Sequence, residues 1–101
     1  MFVIGVLYPP SARFDLDYYL KTHIPLVHSR SDQLGLKNLT VLRGKGGPTG
    51  DPPLYPVVAL LSFESLDAFQ GAVQQHGKEV MGDIPNFTDT KPVLQVFETA
   101  T

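Results

Sequence analysis

The sequence predicts a single α+β domain, a four-stranded antiparallel sheet with two helices in the order strand, helix, strand, strand, helix, strand (βαββαβ). Three observations carry this reading. Four short segments rich in β-formers are interleaved with two segments of helical periodicity. A chain of 101 residues builds one core and lacks the material for two, so residues 1–101 form one domain. The strands carry apolar residues at adjacent positions, which suits a sheet covered on both faces.

Phe2 to Tyr8 reads FVIGVLY and stops at Pro9-Pro10, which cannot continue a ladder. Asp15 is placed to cap a helix, with Phe14 and Tyr19 on either side spaced as a hydrophobic staple. The helix is predicted from Leu16 to about Gln33, and at 100° per residue Leu16, Leu20, His23, Val27 and Leu34 share its inner stripe. Arg30 falls on the same stripe, where its stem can lie on apolar surface while the guanidinium reaches water. Pro25 lies opposite the stripe; it forfeits the bond to the Lys21 carbonyl and should bend the helix. Gly35 supplies the C-terminal cap.

Leu36 to Arg43 is the second strand, and it runs into a long loop of turn formers expected to be mobile, Gly44 to Pro53. Pro56 to Phe63 is the third strand, antiparallel to the second. Ser65 caps a second helix whose inner stripe is Leu66, Phe69, Val73 and Val80. Gly77 interrupts that stripe, which predicts a helix to about Gln75 and a short extra turn. Gly82 to Thr90 reads as irregular, and Val93 to Phe97 as the last strand.

Two helices cover only one face of such a sheet. One member of each adjacent pair (Val3 and Ile4, Val6 and Leu7, Val57 and Val58, Leu60 and Leu61, Val96 and Phe97) must point away from them. Left bare, that face would exceed the few hundred Å² usual for a monomer. A standard interface removes about 800 Å² per partner, so a second copy packed sheet against sheet is the expected cover. The expected assembly is a homodimer through the sheet faces, a barrel with its helices outside.

Composition narrows the partners. At 43% hydrophobic and 18% charged the chain is globular rather than disordered. Eight Lys and Arg in a chain of net charge −2 form no basic stripe, so nucleic acid is not an expected partner. No apolar run approaches the roughly 20 residues that span a bilayer, and the start lacks a secretory pattern, so no membrane association and a cytoplasmic location are expected. The absence of cysteine excludes disulfides, thiolate metal sites and a thiol nucleophile.

His23 is the foremost candidate for chemistry, because it occupies the middle of an inner stripe where leucine would pack better. A buried imidazole must find a partner, either as a plain core residue or as an acid/base or anchoring group in a pocket between helix and sheet. Tyr19, one turn earlier, can converge with it on one ligand, whereas Tyr18 points nearly opposite and reads as surface or as a contact with another chain. His76 on the second helix and Asp89 in the irregular segment are candidates to reach the same pocket, and Asn86 and Phe87 to close it. No metal site is expected, since His23 and His28 lie about 140° apart around the helix and His28 with Asp32 supplies only two ligands on an outer face. The glycine-rich loop lacks the phosphate-binding order and leads to a strand, and no serine sits in a nucleophile elbow.

The chain resembles the EthD family, small proteins of the dimeric α/β-barrel superfamily. The resemblance rests on Phe14-Asp15, Tyr18-Tyr19, His23, Pro25-Leu26 and Gly35-Leu36. It continues through Gly50-Asp51-Pro52-Pro53, Ser65-Leu66-Asp67-Ala68-Phe69 and Asp83-Ile84-Pro85-Asn86-Phe87-Thr88 to Pro92-Val93. It implies a ferredoxin-like subunit, a homodimer and a small-molecule pocket between sheet and helices. Relatives in aromatic degradation and fungal polyketide pathways isomerise or dehydrate small cyclic compounds by acid/base chemistry without a cofactor, so none is expected here. Carried onto this sequence, the resemblance makes His23 the pocket acid/base and Tyr19 its hydrogen-bonding neighbour. Three functions follow as expectations: such an enzyme, a non-catalytic binding module for the same compounds, or a structural dimer with a vestigial pocket.

Overall fold

A computed structural model describes residues 2–101. Strand β1 (Phe2–Tyr8) leads to a helical run, α1, over residues 16–34, then β2 (Leu36–Arg43), β3 (Val57–Phe63), α2 (Leu66–Gly82) and β4 (Val93–Glu98). The sheet order is β2-β3-β1-β4, with every pairing antiparallel. This is the ferredoxin-like α+β arrangement the sequence predicted. No described helix is long and apolar enough to cross a membrane.

The predicted punctuation holds. Asp15 accepts a hydrogen bond from the Tyr18 amide at 3.0 Å, and the Phe14 and Tyr19 rings meet edge-on at 5.2 Å as a staple. Gly35 ends α1 in the left-handed region at φ 104°, where a Cβ would come within 2.8 Å of Ala68 Cβ, so the position is closed to other residues twice over. Ser65 accepts from the Ala68 amide at 3.1 Å and starts α2.

Two helical details differ from expectation. α1 is not one regular helix: Leu16–Tyr18 is α, Tyr19–His23 is a wider π turn, Ile24–Ser31 is α and Asp32–Leu34 is 3-10. The π turn lies immediately before Pro25, whose ring would otherwise meet the Lys21 carbonyl, and the Ile24 amide reaches back five residues to Tyr19. Widening the turn rotates the helix frame, so Leu20, predicted to face inward, is 45% exposed. α2 continues unbroken through Gly77 to Gly82, and its buried side is built on Ala72, flanked by Phe69 and Val80, while Val73 is exposed. Arg30 reaches α2 and forms two hydrogen bonds with Glu79, at 2.7 and 3.1 Å, rather than ending in water alone.

The molecule is only 19 Å thick along its short axis, the depth of one sheet and one helical layer. Between those layers Ile4, Val27, Leu36, Phe63 and Ala72 form one half of the core, and Tyr8, Tyr19, Val57, Ile84 and Phe87 the other. By strand alternation the opposite face presents Val3, Leu7, Leu42, Val58, Leu60, Val93 and Phe97, with Asn38, Thr40, Ser62 and Gln95 among them. Leu42, Val93 and Phe97 on this open face are 47%, 47% and 40% exposed.

Candidate functional site

The site begins with the irregular segment after α2. Asp83 and the 3-10 turn Ile84–Asn86 are pinned to the start of α1 by the Asp15 amide on the Phe87 carbonyl at 2.7 Å. Arg13 Nη2 adds a bond to the Pro85 carbonyl at 2.6 Å, and Thr88 Oγ1 donates to the Arg13 carbonyl at 2.8 Å. This clamp fixes Asp83 beneath the π turn, where its carboxylate meets His23.

His23 is 4% exposed, and its Nδ1 lies 2.9 Å from Asp83 Oδ2. The other carboxylate oxygen accepts from the Tyr18 hydroxyl at 2.6 Å and from Asn86 Nδ2 at 2.9 Å. Burial pushes the Asp83 carboxyl up, but the bonds from Tyr18, Asn86 and His23 outweigh it and hold the group below its ordinary range. An ionised carboxylate only accepts, so Nδ1 carries the proton of the Asp83 bond, and in the neutral ring Nε2 is the nitrogen with a lone pair. Tyr18 is therefore part of the site, not a surface residue; the rotated frame of the π turn and the pinned Asp83 bring them together.

An aromatic wall holds the imidazole. Tyr19 stacks on His23 with centroids 5.5 Å apart and planes 17° from parallel. Phe87, fully buried, packs against His23 at 4.7 Å, Tyr19 at 5.0 Å, Phe14 at 5.3 Å and Tyr8 at 5.8 Å. Its role is to back the histidine rather than to close a mouth.

In front of this wall, between sheet and helices, lies a cavity of about 230 Å³. Its floor is Ile4, Val6, Tyr8, Ala59 and Leu61, its helical side includes Tyr19, His23, Ala72 and His76, and Val73, Met81 and Leu94 line it as exposed residues. The lining is apolar apart from the histidines, the two tyrosines and Ser31. Burial holds both phenols, Tyr8 and Tyr19, far above their ordinary range, so they remain protonated donors.

Of the residues singled out from the sequence, His23, Tyr19 and His76 line the cavity. Asn86 is exposed and reaches the site only through its bond to Asp83. Asp89 is exposed and does not line the cavity, because the Thr88 bonds turn the chain outward after Phe87. His28 and Asp32 meet at 2.9 Å as an exposed pair on the outer face. Sequence reasoning missed Asp83 and Tyr8: the first lay in a stretch read as irregular, the second at the end of a strand read only for its apolar pattern.

Comparison with known proteins bears on the family and the fold. No curated protein matches the chain. The crystal structure of an EthD-like protein from Ralstonia eutropha JMP134 is 36% identical over 99% of this chain and 92% of that one, with a TM-score of 0.90. An ethyl tert-butyl ether degradation (EthD) family protein from Bacillus halodurans C-125 is 24% identical over 98% of both chains, with a TM-score of 0.79. HapK from Hahella chejuensis shares the fold at 11% identity, covering 98% of this chain and 92% of that one, with a TM-score of 0.63. The EthD domain matches residues 10–91, the span that holds the clamp, the π turn and Asp83, and with it the chain belongs to the EthD family.

Proposed function

We propose that this protein is an acid/base enzyme acting on a small, mostly apolar carbonyl or aromatic compound, with His23 as the proton-transfer group. The observation that carries this reading is the Asp83–His23 pair set against an apolar cavity: one ring nitrogen is held by a carboxylate at 2.9 Å and the other is left for a ligand. Asp83 fixes the tautomer and stabilises the imidazolium that forms when Nε2 accepts a proton, the role a carboxylate plays behind a general base. Tyr18 and Asn86 hold Asp83 in turn. Tyr19 supplies a neutral donor to a substrate oxygen, and His76 is a second titratable group on the cavity wall. This chemistry needs only side chains of the chain itself.

The same cavity supports a binding module, favoured by its nearly all-apolar lining, in which His23 anchors a ligand without moving a proton. Turnover separates the two. A panel of small cyclic ketones, lactones and phenols is screened by thermal shift, and compounds that stabilise the protein are followed for conversion with wild type, His23→Gln and Asp83→Asn. The enzyme reading expects conversion that falls at least about 100-fold in His23→Gln, the scale of general acid/base catalysis. Full turnover by folded His23→Gln overturns it, and saturable binding without conversion by wild type assigns the binding role.

A homodimer belongs to the proposal. Val3, Leu7, Val58, Leu60 and Phe97 on the open sheet face form an apolar surface that a second copy would bury, closing two sheets into one barrel.

A further inference from the structure

The end of β1 brings a second phenol to the cavity. Tyr8 and Tyr19, 2% and 1% exposed, come from the sheet floor and the π turn and meet edge-on at 5.7 Å. Two phenols brought together can satisfy each other only once, so such a pair keeps at least one proton to give. Both residues line the cavity, and no buried side-chain nitrogen or oxygen among the described residues is left without a partner. His23 stacks beside Tyr19, and all three residues line the same cavity.

We propose that Tyr8 and Tyr19 form a two-phenol oxyanion site and that the substrate class is a neutral, enolisable carbonyl compound, its oxygen against the phenols and its α-carbon against His23 Nε2. This rests on His23 as base. Among the described residues no lysine or arginine lines the cavity, so a ligand that arrives as an anion loses its hydration without a counter-charge. A neutral carbonyl loses little on binding and gains most as charge grows on its oxygen, where fixed donors in an apolar site act most strongly. In the step, Nε2 takes the α-proton: the C–H bond breaks, the N–H bond forms, and the electron pair becomes the enolate C=C as the carbonyl π pair moves onto oxygen. Where the compound carries a β,γ double bond, the imidazolium returns that proton to the γ-carbon: the β,γ π pair forms the new C–H bond, the enolate C=C pair becomes the α,β double bond, and the oxygen lone pair re-forms the C=O. No oxidant, reductant or second reactant takes part.

The test uses 2-naphthol, a planar neutral aromatic whose oxygen stands where an enolate oxygen would and whose absorbance reports the state of its hydroxyl. It is titrated at pH 7 into wild type, Tyr8→Phe, Tyr19→Phe and His23→Gln, all checked for cooperative unfolding. Each phenylalanine keeps the ring and removes only the hydroxyl. The expected result is saturable binding by wild type, weakened about tenfold in each phenylalanine variant and less than about threefold in His23→Gln. Wild-type affinity in Tyr8→Phe overturns the phenol pair, as does failure of wild type to bind at millimolar naphthol. Either result together with loss of turnover in His23→Gln leaves the base reading standing, whereas turnover retained in His23→Gln removes that reading by itself. If Tyr8→Phe does not fold, Tyr19→Phe alone decides, since the pair requires both hydroxyls.

Discussion

Replacing Asp83 by asparagine tests the link between the fold and the site in one step. The carboxylate accepts three hydrogen bonds, from Tyr18 at 2.6 Å, Asn86 at 2.9 Å and His23 at 2.9 Å. Asparagine keeps the shape but has a single acceptor oxygen; if that oxygen serves His23, the amide NH2 faces two donors. The Tyr18 hydroxyl can turn and Asn86 is exposed enough to find water, so the unrecovered loss is the charge-assisted part of the His23 bond, about 2 kcal/mol. For a domain of this size that is a fall in Tm of roughly 8–16 °C. The effect has a pH signature. Because the folded carboxyl is held below its ordinary range, its contribution is complete above the unfolded value near 4 and is lost as pH falls through the folded one. Urea unfolding of both proteins at one concentration should show the full gap at pH 7 and a clearly smaller one at pH 3. A difference under about 0.5 kcal/mol at pH 7, or an equal gap at both pH values, would mean that the Asp83 carboxylate does not hold this corner of the fold.

Two further substitutions probe the frame around the site. Gly35→Ala combines a left-handed φ of 104° with a Cβ placed 2.8 Å from Ala68 Cβ, and should cost about 1–3 kcal/mol in chemical denaturation; an unchanged midpoint contradicts the cap assignment. Leu60→Glu puts a charge at the centre of the open sheet face and should convert a sedimenting dimer to a monomer whose helical signal is intact; a variant that still sediments as a dimer removes the sheet-to-sheet pairing.

The strands were legible because their apolar runs end at unmistakable breakers: β1 stops at Pro9-Pro10, and Gly35 and Ser65 mark helix boundaries to the residue. The staple between Phe14 and Tyr19 was equally plain, since its spacing is fixed by the cap. What the stripe at 100° per residue could not show is the π turn. Pro25 announced a disturbance, but a bend and a widened turn satisfy the same steric conflict, and only the second turns Leu20 out and brings Tyr18 toward Asp83. Gly77 misled in the opposite sense: α2 tolerates it because packing on Ala72 and Val80 outweighs its propensity cost of about 1 kcal/mol. Asp83 and Tyr8 escaped because their importance arises from long-range contacts. A buried histidine announces that it needs a partner without saying where in the chain the partner lies.

The claim on which the functional reading stands is that Asp83 fixes the proton of His23 on Nδ1 and leaves Nε2 bare toward the cavity. Long-range 1H–15N spectra of the imidazole rings at neutral pH report this tautomer directly. His23 should show a protonated Nδ1 and an unprotonated Nε2, with the Nε2 signal shifting when naphthol is added and the tautomer preference lost in Asp83→Ala, which leaves Nδ1 no acceptor. A His23 ring protonated at Nε2, or one whose tautomer ignores the loss of the carboxylate, would contradict that claim.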